Sequence, residues 1–337
     1  MVHAGPAAAG PADPVSRKLN GTDVRESTFP AMGSTAHVIV VGGPDDLLER
    51  AAARVEELES RWSRFRPDSE VSRLNAAPAG EPVVVSPDTL VLVDLALQGY
   101  EVSRGAFDPS MLASLVGAGY GSSLVDELES GEPLVREIGV ASPAAHGDLS
   151  AEFVVDAEAQ TVTRTSELQF DPGGLGKGLA ADLVADELMA TGADGVLVNL
   201  GGDLRVTGAG PDGGSWQVEV EDPRDGSTLC VVSLDDGALA TSSRMRRRWT
   251  DGDGNEGHHL LDPSTGRPAA TTTNGATVIA RFGWQAEVLA KAAFLDEVSS
   301  DDVFSLIEQL GAAALIVTEG IVLPTARWAD FVVSDAT

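Results

Sequence analysis

The chain has 337 residues, a formal net charge of −29 at pH 7 and a single cysteine, Cys230. A chain of this length can bury a large core, whereas its negative charge disfavours binding to nucleic acid or to an anionic membrane surface. One cysteine excludes an internal disulfide, and no segment approaches the roughly 20 apolar residues of a membrane span, so we expect a cytoplasmic protein.

The N-terminal segment is expected to lack structure. Residues 1–21 are rich in alanine, proline and glycine, and they contain no uninterrupted apolar stretch of the kind found in signal peptides. We predict a disordered leader over residues 1–24, followed by a single two-lobed domain over residues 25–337.

The first predicted elements are a strand and two helices. Residues 37–41 predict a strand, and a helix opens at Asp45 because apolar residues then recur at helical spacing. Ser86 is a favourable N-cap with Pro87 at the first helical position, and Gly105 suits the C′ position of that helix.

The middle of the chain is less informative than the C-terminal part. Residues 113–168 predict an extended connection with short strands. Further on, residues 196–200 form a continuous apolar run that is typical of a buried strand, and a tight turn follows it. The remaining predictions are antiparallel strands at 216–220 and 228–234, a helix at 284–298 and a strand at 313–318.

A glycine-rich segment, residues 170–182, is the strongest candidate for a binding site. Its glycines, Gly173, Gly174, Gly176 and Gly178, would let backbone amides approach an anion, and the start of a helix adds partial positive charge. Lys177 is one of only three lysines, with Lys18 and Lys291. The segment fits neither a P-loop nor the G-x-G-x-x-G pattern. A strand-to-helix connection without a chemical role is the alternative.

Two further clusters have both a functional and a structural interpretation. Arginines at 244 and 246–248 could bind phosphate or an acidic acceptor, or they could form a solvated face. The run His258-His259-x-x-Asp262 suggests zinc only weakly, because adjacent histidines do not easily reach one ion.

Seven motifs occur together in an order that resembles the ApbE-type flavin transferases, the FAD:protein FMN transferases. The likeness spans roughly residues 29–296. The motifs are Ala31-Met32-Gly33-Ser34-Thr35, Ser69-Glu70-x-Ser-Arg-Leu-Asn75, Gly105-Ala-Phe-Asp-Pro109, Asp171-x-Gly-Gly-Leu-Gly-Lys177-Gly with Asp182, Val198-Asn-Leu-Gly-Gly-Asp203, Ala240-Thr-Ser242 and His259-x-x-Asp-Pro-x-Thr-Gly266.

The resemblance implies an α+β protein with a two-lobed ApbE-like fold, mixed or antiparallel sheets flanked by helices, and an FAD cleft between the lobes. It implies an enzyme that cleaves the FAD pyrophosphate, links FMN by a phosphodiester to Ser or Thr of a partner flavoprotein, and releases AMP. An FAD pyrophosphatase producing FMN and AMP, and a non-catalytic FAD carrier or sensor, are the alternatives.

The resemblance also assigns residues. His259 is the catalytic residue that the resemblance implies, and we predict Lys177 and Lys291 as further catalytic residues because their ammonium groups could neutralise the pyrophosphate. The implied FAD-binding residues are Met32, Phe65, Ala106, Phe107, Asp108, Asp171, Lys177, Thr241 and Leu260.

Magnesium is expected from the resemblance, with Gly174 and Glu287 as ligands, but Lys291 stands where relatives carry a third ligand. An ammonium group cannot ligate a metal. Lys291 could stand near the place of the metal, or displace the ion toward Glu287, and neutralise the pyrophosphate directly. The alternative is that Glu287 and Lys291 form an ordinary surface pair at i,i+4 spacing.

The acceptor is expected to be a separate protein. The chain contains no Asp-x-x-Ser/Thr-Gly/Ala-Ala-Ser/Thr stretch, the kind of sequence that the family modifies.

Overall fold

A computed structural model describes residues 2–3, 12–19, 21–121, 135–136, 148–245, 248–251, 256–296 and 301–335. The helices of these residues are α1 (Leu47–Trp62), α2 (Glu70–Ala76), α3 (Pro87–Val102), α4 (Leu112–Gly117), α5 (Gly176–Ala190), α6 (Gly283–Leu295) and α7 (Asp301–Gln309). Short 3-10 helices cover Leu149–Ala151 and Ala326–Asp330.

The strands are more numerous than the helices. They are β1 (Val2–His3), β2 (Ala12–Leu19), β3 (Thr22–Ala31), β4 (Ser34–Val41), β5 (Pro82–Val84), β6 (Val135–Arg136), β7 (Phe153–Asp156), β8 (Thr161–Arg164), β9 (Gly195–Leu200), β10 (Asp203–Gly208), β11 (Trp216–Glu221), β12 (Thr228–Leu234), β13 (Gly237–Ser243), β14 (Arg248–Asp251), β15 (Glu256–His258), β16 (Leu261–Asp262), β17 (Arg267–Pro268), β18 (Thr273–Ala280), β19 (Ala313–Thr318), β20 (Val322–Pro324) and β21 (Val332–Asp335).

The chain forms two compact units. Unit 1 consists of Met1–Glu57, Lys177–Ser243 and Thr272–Thr337, and unit 2 consists of Leu58–Gly176 and Arg244–Thr271.

Unit 1 is built on two sheets. Nine strands form an antiparallel sheet in the order β2-β3-β4-β9-β10-β13-β18-β19-β20. The second sheet has the order β1-β11-β12-β21, and in it only the β1–β11 pair is parallel. Apolar side chains from both sheets, Trp216, Ile39 and Leu204 among them, share one buried cluster. The two sheets therefore pack face to face, which removes apolar surface from water.

Helix α6 lies against β13 and β18 of the nine-stranded sheet. It is buried almost all round, and its buried positions are Gly283, Ala286–Ala290 and Ala292–Phe294. A helix that is apolar on every face is typical of a protein interior. A charged side chain on this helix therefore has to find its partners inside the protein.

Unit 2 contains short helices and small sheets. Ser69 and Ser86 cap the first turns of α2 and α3 through their side chains, and Pro87 opens α3 as expected. Strands β5, β8 and β7 form one antiparallel sheet. The buried Arg164 at the end of β8 donates to the carbonyl groups of Leu74 and Leu168, which fixes the loops around α2.

The structure confirms the α+β class with antiparallel sheets and most of the predicted elements. The expected strands at 37–41, 196–200, 228–234 and 313–318 lie within or match β4, β9, β12 and β19. The helix expected at 284–298 runs instead from Gly283 to Leu295. After α3 the left-handed residues are both Arg104, φ 56°, and Gly105, φ 82°, so the helix ends one residue earlier than predicted.

Ala12–Leu19, which lie within the expected leader, form β2 and pair with the long strand β3. The extent of the domain, 25–337, stays a prediction. Within the described part of the chain, no helix is long and apolar enough to cross a membrane.

Candidate functional site

Four charged side chains of unit 1 lie together: Lys177, Asp203, Glu287 and Lys291, here called the Lys177 cluster. The Lys177 ammonium group donates to Asp203 Oδ2 and lies 3.2 Å from Glu287 Oε1. Lys291 Nζ lies 3.4 Å from the same Glu287 oxygen. The carboxylate side chains are 7 % and 2 % exposed, whereas the lysine side chains are 15 % and 18 % exposed. The cluster therefore buries its negative charges more deeply than its positive charges.

Glu287 is held in its ionised form. The Gly178 amide donates to Glu287 Oε2 at 3.0 Å. Burial, the largest influence, would raise the pKa of Glu287, but the charges of Lys177 and Lys291 and the Gly178 hydrogen bond outweigh it and hold the pKa below its usual value. The surface interpretation of the Glu287–Lys291 pair is wrong, since the carboxylate is inside the protein.

A crossing of two glycines brings the two halves of the Lys177 cluster together. A Cβ on Gly178 would lie 2.3 Å from the Gly283 carbonyl oxygen, and a Cβ on Gly283 would lie 2.4 Å from the Gly178 carbonyl oxygen. Only glycine allows the backbones of α5 and α6 to approach so closely. Lys177 on α5 therefore meets Glu287 and Lys291, which lie one and two turns along α6.

Asp182 fastens the same two helices. Its Oδ1 accepts from the Gly283 amide at 2.7 Å and its Oδ2 from the Trp284 amide at 3.1 Å. Phe282, the N-cap residue of α6, makes no capping hydrogen bond with its own side chain. A residue of α5 thus caps α6. Burial raises the pKa of Asp182 to about 7, against the lowering effect of these amides and of Arg205.

This raised pKa predicts a pH dependence of stability. The folded protein then holds a proton on Asp182 that the unfolded chain releases at lower pH, so the free energy of unfolding falls as pH rises from about 4 to about 7. The stability difference between wild type and Asp182→Asn should shrink by about 1 kcal/mol per pH unit in this window. Urea unfolding at pH 5, 6 and 7 measures it.

The matched control is Asp46→Asn. The Asp46 side chain is 45 % exposed and pairs with Arg50, which lowers the pKa of Asp46. The stability difference between wild type and Asp46→Asn should therefore stay flat above pH 5. A flat difference for Asp182→Asn as well would show that Asp182 is already ionised at pH 5.

Two turns of unit 1 lie beside the Lys177 cluster. Met32 and Gly33 form the two-residue turn between β3 and β4 with φ values of 50° and 65°, the positive values that such a hairpin requires. The Gly201 amide donates to the Thr35 carbonyl at 3.0 Å, so the turn before Asp203 rests on this hairpin. A Cβ on Gly201 would lie 3.9 Å from Lys177 Cδ. The Gly201 turn therefore contacts both the hairpin that contains Met32 and the side chain of Lys177.

Thr241 lies on β13 of the same unit. Its hydroxyl group hydrogen-bonds to the Thr277 hydroxyl at 2.9 Å, across the β13–β18 pair on which α6 packs. This bond explains Thr241 structurally, and its predicted contact with FAD stays a prediction.

The Lys177 cluster does not suit a divalent metal ion. Glu287 Oε1 already faces two ammonium groups, and its Oε2 accepts from Gly178. At about 4 Å and an effective dielectric constant of about 20, each ammonium group would repel a divalent ion by about 8 kcal/mol, which cancels the attraction of one carboxylate. Among the described residues, no group of three His, Cys, Asp or Glu side chains is placed to hold a metal. The structure therefore gives no support to a zinc site at His258 and His259 within the described residues.

Unit 2 contains a stacked arrangement at Arg64. The guanidinium carbon lies 4.3 Å from the centre of the Phe65 ring and 4.7 Å from that of Tyr120. Arg64 Nε is also 3.8 Å from Asp171 Oδ1, so two predicted FAD-binding residues are joined through one arginine. Phe65 is 40 % exposed, which leaves much of an aromatic ring available to a ligand.

The remaining predicted residues of unit 2 have structural partners of their own. Asp108 Oδ1 accepts from the Ser110 amide and hydroxyl groups, and the Phe107 amide donates to Ser103 Oγ. Phe107 and Leu260 are buried, whereas Ala106, Gly174 and His259 are half-buried. Asp262 Oδ1 accepts from Ser264, so this carboxylate shapes its own turn.

Sequence reasoning missed several of these partners. Asp203 ends one of the family motifs and was given no partner, and in the structure it pairs with Lys177. The roles of Asp182, Gly283 and Arg64 were also missed. Of the arginine cluster, the Arg244 side chain donates to the Thr271 carbonyl at 3.1 Å, residues 246 and 247 lie outside the described residues, and nothing is described of the Arg248 side chain.

Comparison with known proteins agrees with the motifs. The model of the ApbE family matches residues 32–316. The chain is 30 % identical to a Vibrio cholerae FAD:protein FMN transferase over 271 residues, 77 % of this chain and 78 % of that protein. It is 30 % identical to the Treponema pallidum FAD:protein FMN transferase over 260 residues, 74 % and 70 % of the two chains. The apo crystal structure of Pseudomonas stutzeri flavinyl transferase ApbE superposes with a TM-score of 0.74 at 29 % identity, covering 92 % of this chain and 96 % of that one.

Proposed function

This chain belongs to the ApbE family, as its motifs predicted, and on that premise we propose that it is an FAD:protein FMN transferase. A Ser or Thr hydroxyl oxygen of a partner flavoprotein forms a bond to the FMN phosphorus. The bond from that phosphorus to the bridging oxygen breaks, AMP leaves with that oxygen, and the hydroxyl proton is released. A cytoplasmic location is part of the proposal.

The observation that carries this proposal is the position of Lys177. Its ammonium group stands in the first turn of α5, directly after the glycine-rich turn, and its side chain remains 15 % exposed. In a chain of net charge −29, a diphosphate has to be held by such local cations and amides. The same groups stabilise the charge that develops on the phosphoryl oxygens during transfer.

The other residues have proposed roles that follow the motif matches. We assign His259 the task of orienting the acceptor hydroxyl group or accepting its proton. The FAD-binding residues stay as predicted, and the exposed face of Phe65 supports its assignment to the flavin ring. A magnesium requirement is not part of the proposal, because the surroundings of Glu287 do not suit the ion.

The proposal is tested by mass spectrometry of an acceptor peptide. A peptide with the sequence Asp-x-x-Thr-Gly-Ala-Thr is incubated with the protein and FAD, with and without Mg²⁺. The expected result is a peptide heavier by FMN less one water, together with one AMP per peptide modified. The matched control peptide carries alanine in place of both threonines and should stay unmodified.

Two outcomes would contradict a transferase. Release of FMN and AMP at the same rate with and without peptide, with the peptide unchanged, would indicate an FAD pyrophosphatase. Bound FAD that survives intact in the presence of several acceptor peptides would indicate a carrier or sensor.

A further inference from the structure

Two lysines pair with the same buried carboxylate, Glu287. Two ammonium groups, Lys177 and Lys291, lie 3.2 Å and 3.4 Å from one oxygen of a buried carboxylate. These are two of the three lysines in the chain, and the third, Lys18, is an exposed residue paired with Asp23. Most positive charges of the chain are arginines, and both lysines other than Lys18 lie beside Glu287.

The pairing of charges in the Lys177 cluster is complete without an added ion. Asp203 and Glu287 supply two negative charges, and Lys177 and Lys291 supply two positive charges. Oε2 of Glu287 is occupied by the Gly178 amide. A divalent cation would have to compete with two ammonium groups for Oε1 and with the Gly178 amide for Oε2.

The two lysines also differ from their partners in exposure. The side chains of Lys177 and Lys291 are 15 % and 18 % exposed to solvent, whereas those of Asp203 and Glu287 are 7 % and 2 % exposed. The lysine side chains are therefore the more accessible members of the cluster. An ammonium group is a compact point charge with three donors, which suits the oxygens of a diphosphate.

We propose that Lys291, together with Lys177, takes the place of a divalent cation in this protein, so that FAD is bound through its diphosphate and FMN is transferred without Mg²⁺. The inference rests on the proposed transferase function. It adds that Glu287 is the anchor that holds two ammonium groups toward the diphosphate, and is not a metal ligand in the wild-type chain.

The decisive experiment compares wild type, Lys291→Met, Lys291→Arg and Lys18→Met, all treated with EDTA and assayed with and without Mg²⁺. The first readout is the dissociation constant for FAD, from quenching of flavin fluorescence, with riboflavin as a ligand that has no phosphate. The second is FMN transfer to the acceptor peptide. The third is binding of Mn²⁺ to the protein without FAD, measured by electron paramagnetic resonance.

We expect wild type and Lys18→Met to bind FAD and transfer FMN equally well in EDTA and in Mg²⁺, within about twofold. Lys291→Met should bind FAD about tenfold or more weakly in EDTA, with riboflavin binding unchanged. Lys291→Arg retains the charge and should keep most of the FAD affinity without metal. Lys291→Met frees Glu287 Oε1 from one ammonium group, so this variant is the one expected to bind Mn²⁺ and to recover transfer with Mg²⁺.

The inference is overturned if wild-type transfer falls about tenfold or more in EDTA and returns with Mg²⁺, an outcome that leaves the transferase function intact. It is also overturned if Lys291→Met binds FAD as tightly as wild type in EDTA. If no variant modifies any peptide while FAD affinity in EDTA still depends on Lys291, the proposed function fails and the diphosphate-binding role of Lys291 stands.

Discussion

Gly178→Ala is expected to lower the free energy of unfolding by about 1–3 kcal/mol and to abolish FMN transfer. The new Cβ would lie 2.3 Å from the Gly283 carbonyl oxygen and 2.7 Å from the Trp284 nitrogen. Both are backbone atoms that cannot rotate away, so α5 and α6 must separate. Separation lengthens the hydrogen bonds from Gly178 to Glu287 and from Gly283 and Trp284 to Asp182.

The measurement is urea unfolding together with the acceptor-peptide assay, and the matched control is Gly176→Ala. Both glycines belong to the first turn of α5, but a Cβ on Gly176 would meet only Pro172 Cβ, at an ordinary 3.7 Å. Alanine is a better helix former than glycine, so the control should be as stable as wild type or slightly more stable. Equal losses of stability in the two variants would mean that the glycine crossing does not fix the helices.

Lys177→Met is expected to lower FMN transfer by about 100-fold or more, because it removes a cation from the transferring phosphate. It should also destabilise the protein by about 3–5 kcal/mol, since Asp203 and Glu287 remain buried with less compensation. These two effects have to be separated before the loss of transfer is attributed to catalysis.

The double variant Lys177→Met with Asp203→Asn separates them. The double variant removes the Asp203 carboxylate, which Lys177→Met leaves buried without its partner. It should therefore be more stable than Lys177→Met, whereas its FMN transfer should be as low as that of Lys177→Met. Lys18→Met, at an exposed lysine, is the control for removing a charge as such, and it should transfer FMN like wild type. Recovery of transfer in the double variant would assign Lys177 a structural role only.

The sequence predicted the elements of this fold where local pattern and local chemistry agree. The periodic apolar residues of α1 are buried as expected, and Ser86 caps α3 ahead of Pro87. Strand β9 is apolar except for Asn199 because both of its faces are covered. These features depend on residues close together in the chain, so no knowledge of tertiary structure is required.

The site could be predicted only in part, because its central contacts join distant segments. Gly178 and Glu287 are 109 residues apart, and Asp182 and Gly283 are 101 residues apart. No periodicity connects such positions. The resemblance predicted Lys177 and Glu287 as site residues. It did not predict that these two side chains would contact each other, nor that Asp203 would pair with Lys177.

One signal in the sequence could have decided between the two interpretations of the Glu287–Lys291 pair. Glu287 and Lys291 have the spacing of a surface ion pair, but Glu287 is surrounded in sequence by Ala286, Val288 and Leu289. A helix that is apolar all round is buried, and a carboxylate on it has to be paired inside the protein. Asp182 stands in the same kind of helix, after Ala180 and Ala181, and its burial could have been expected for the same reason.

The most direct test of the account is the position of the diphosphate in a crystal structure of this protein with FAD bound. A diphosphate oxygen should lie about 3 Å from Lys177 Nζ, at the start of α5. FAD bound with its diphosphate away from the first turn of α5, and Lys177 still engaged only with Asp203 and Glu287, would contradict it.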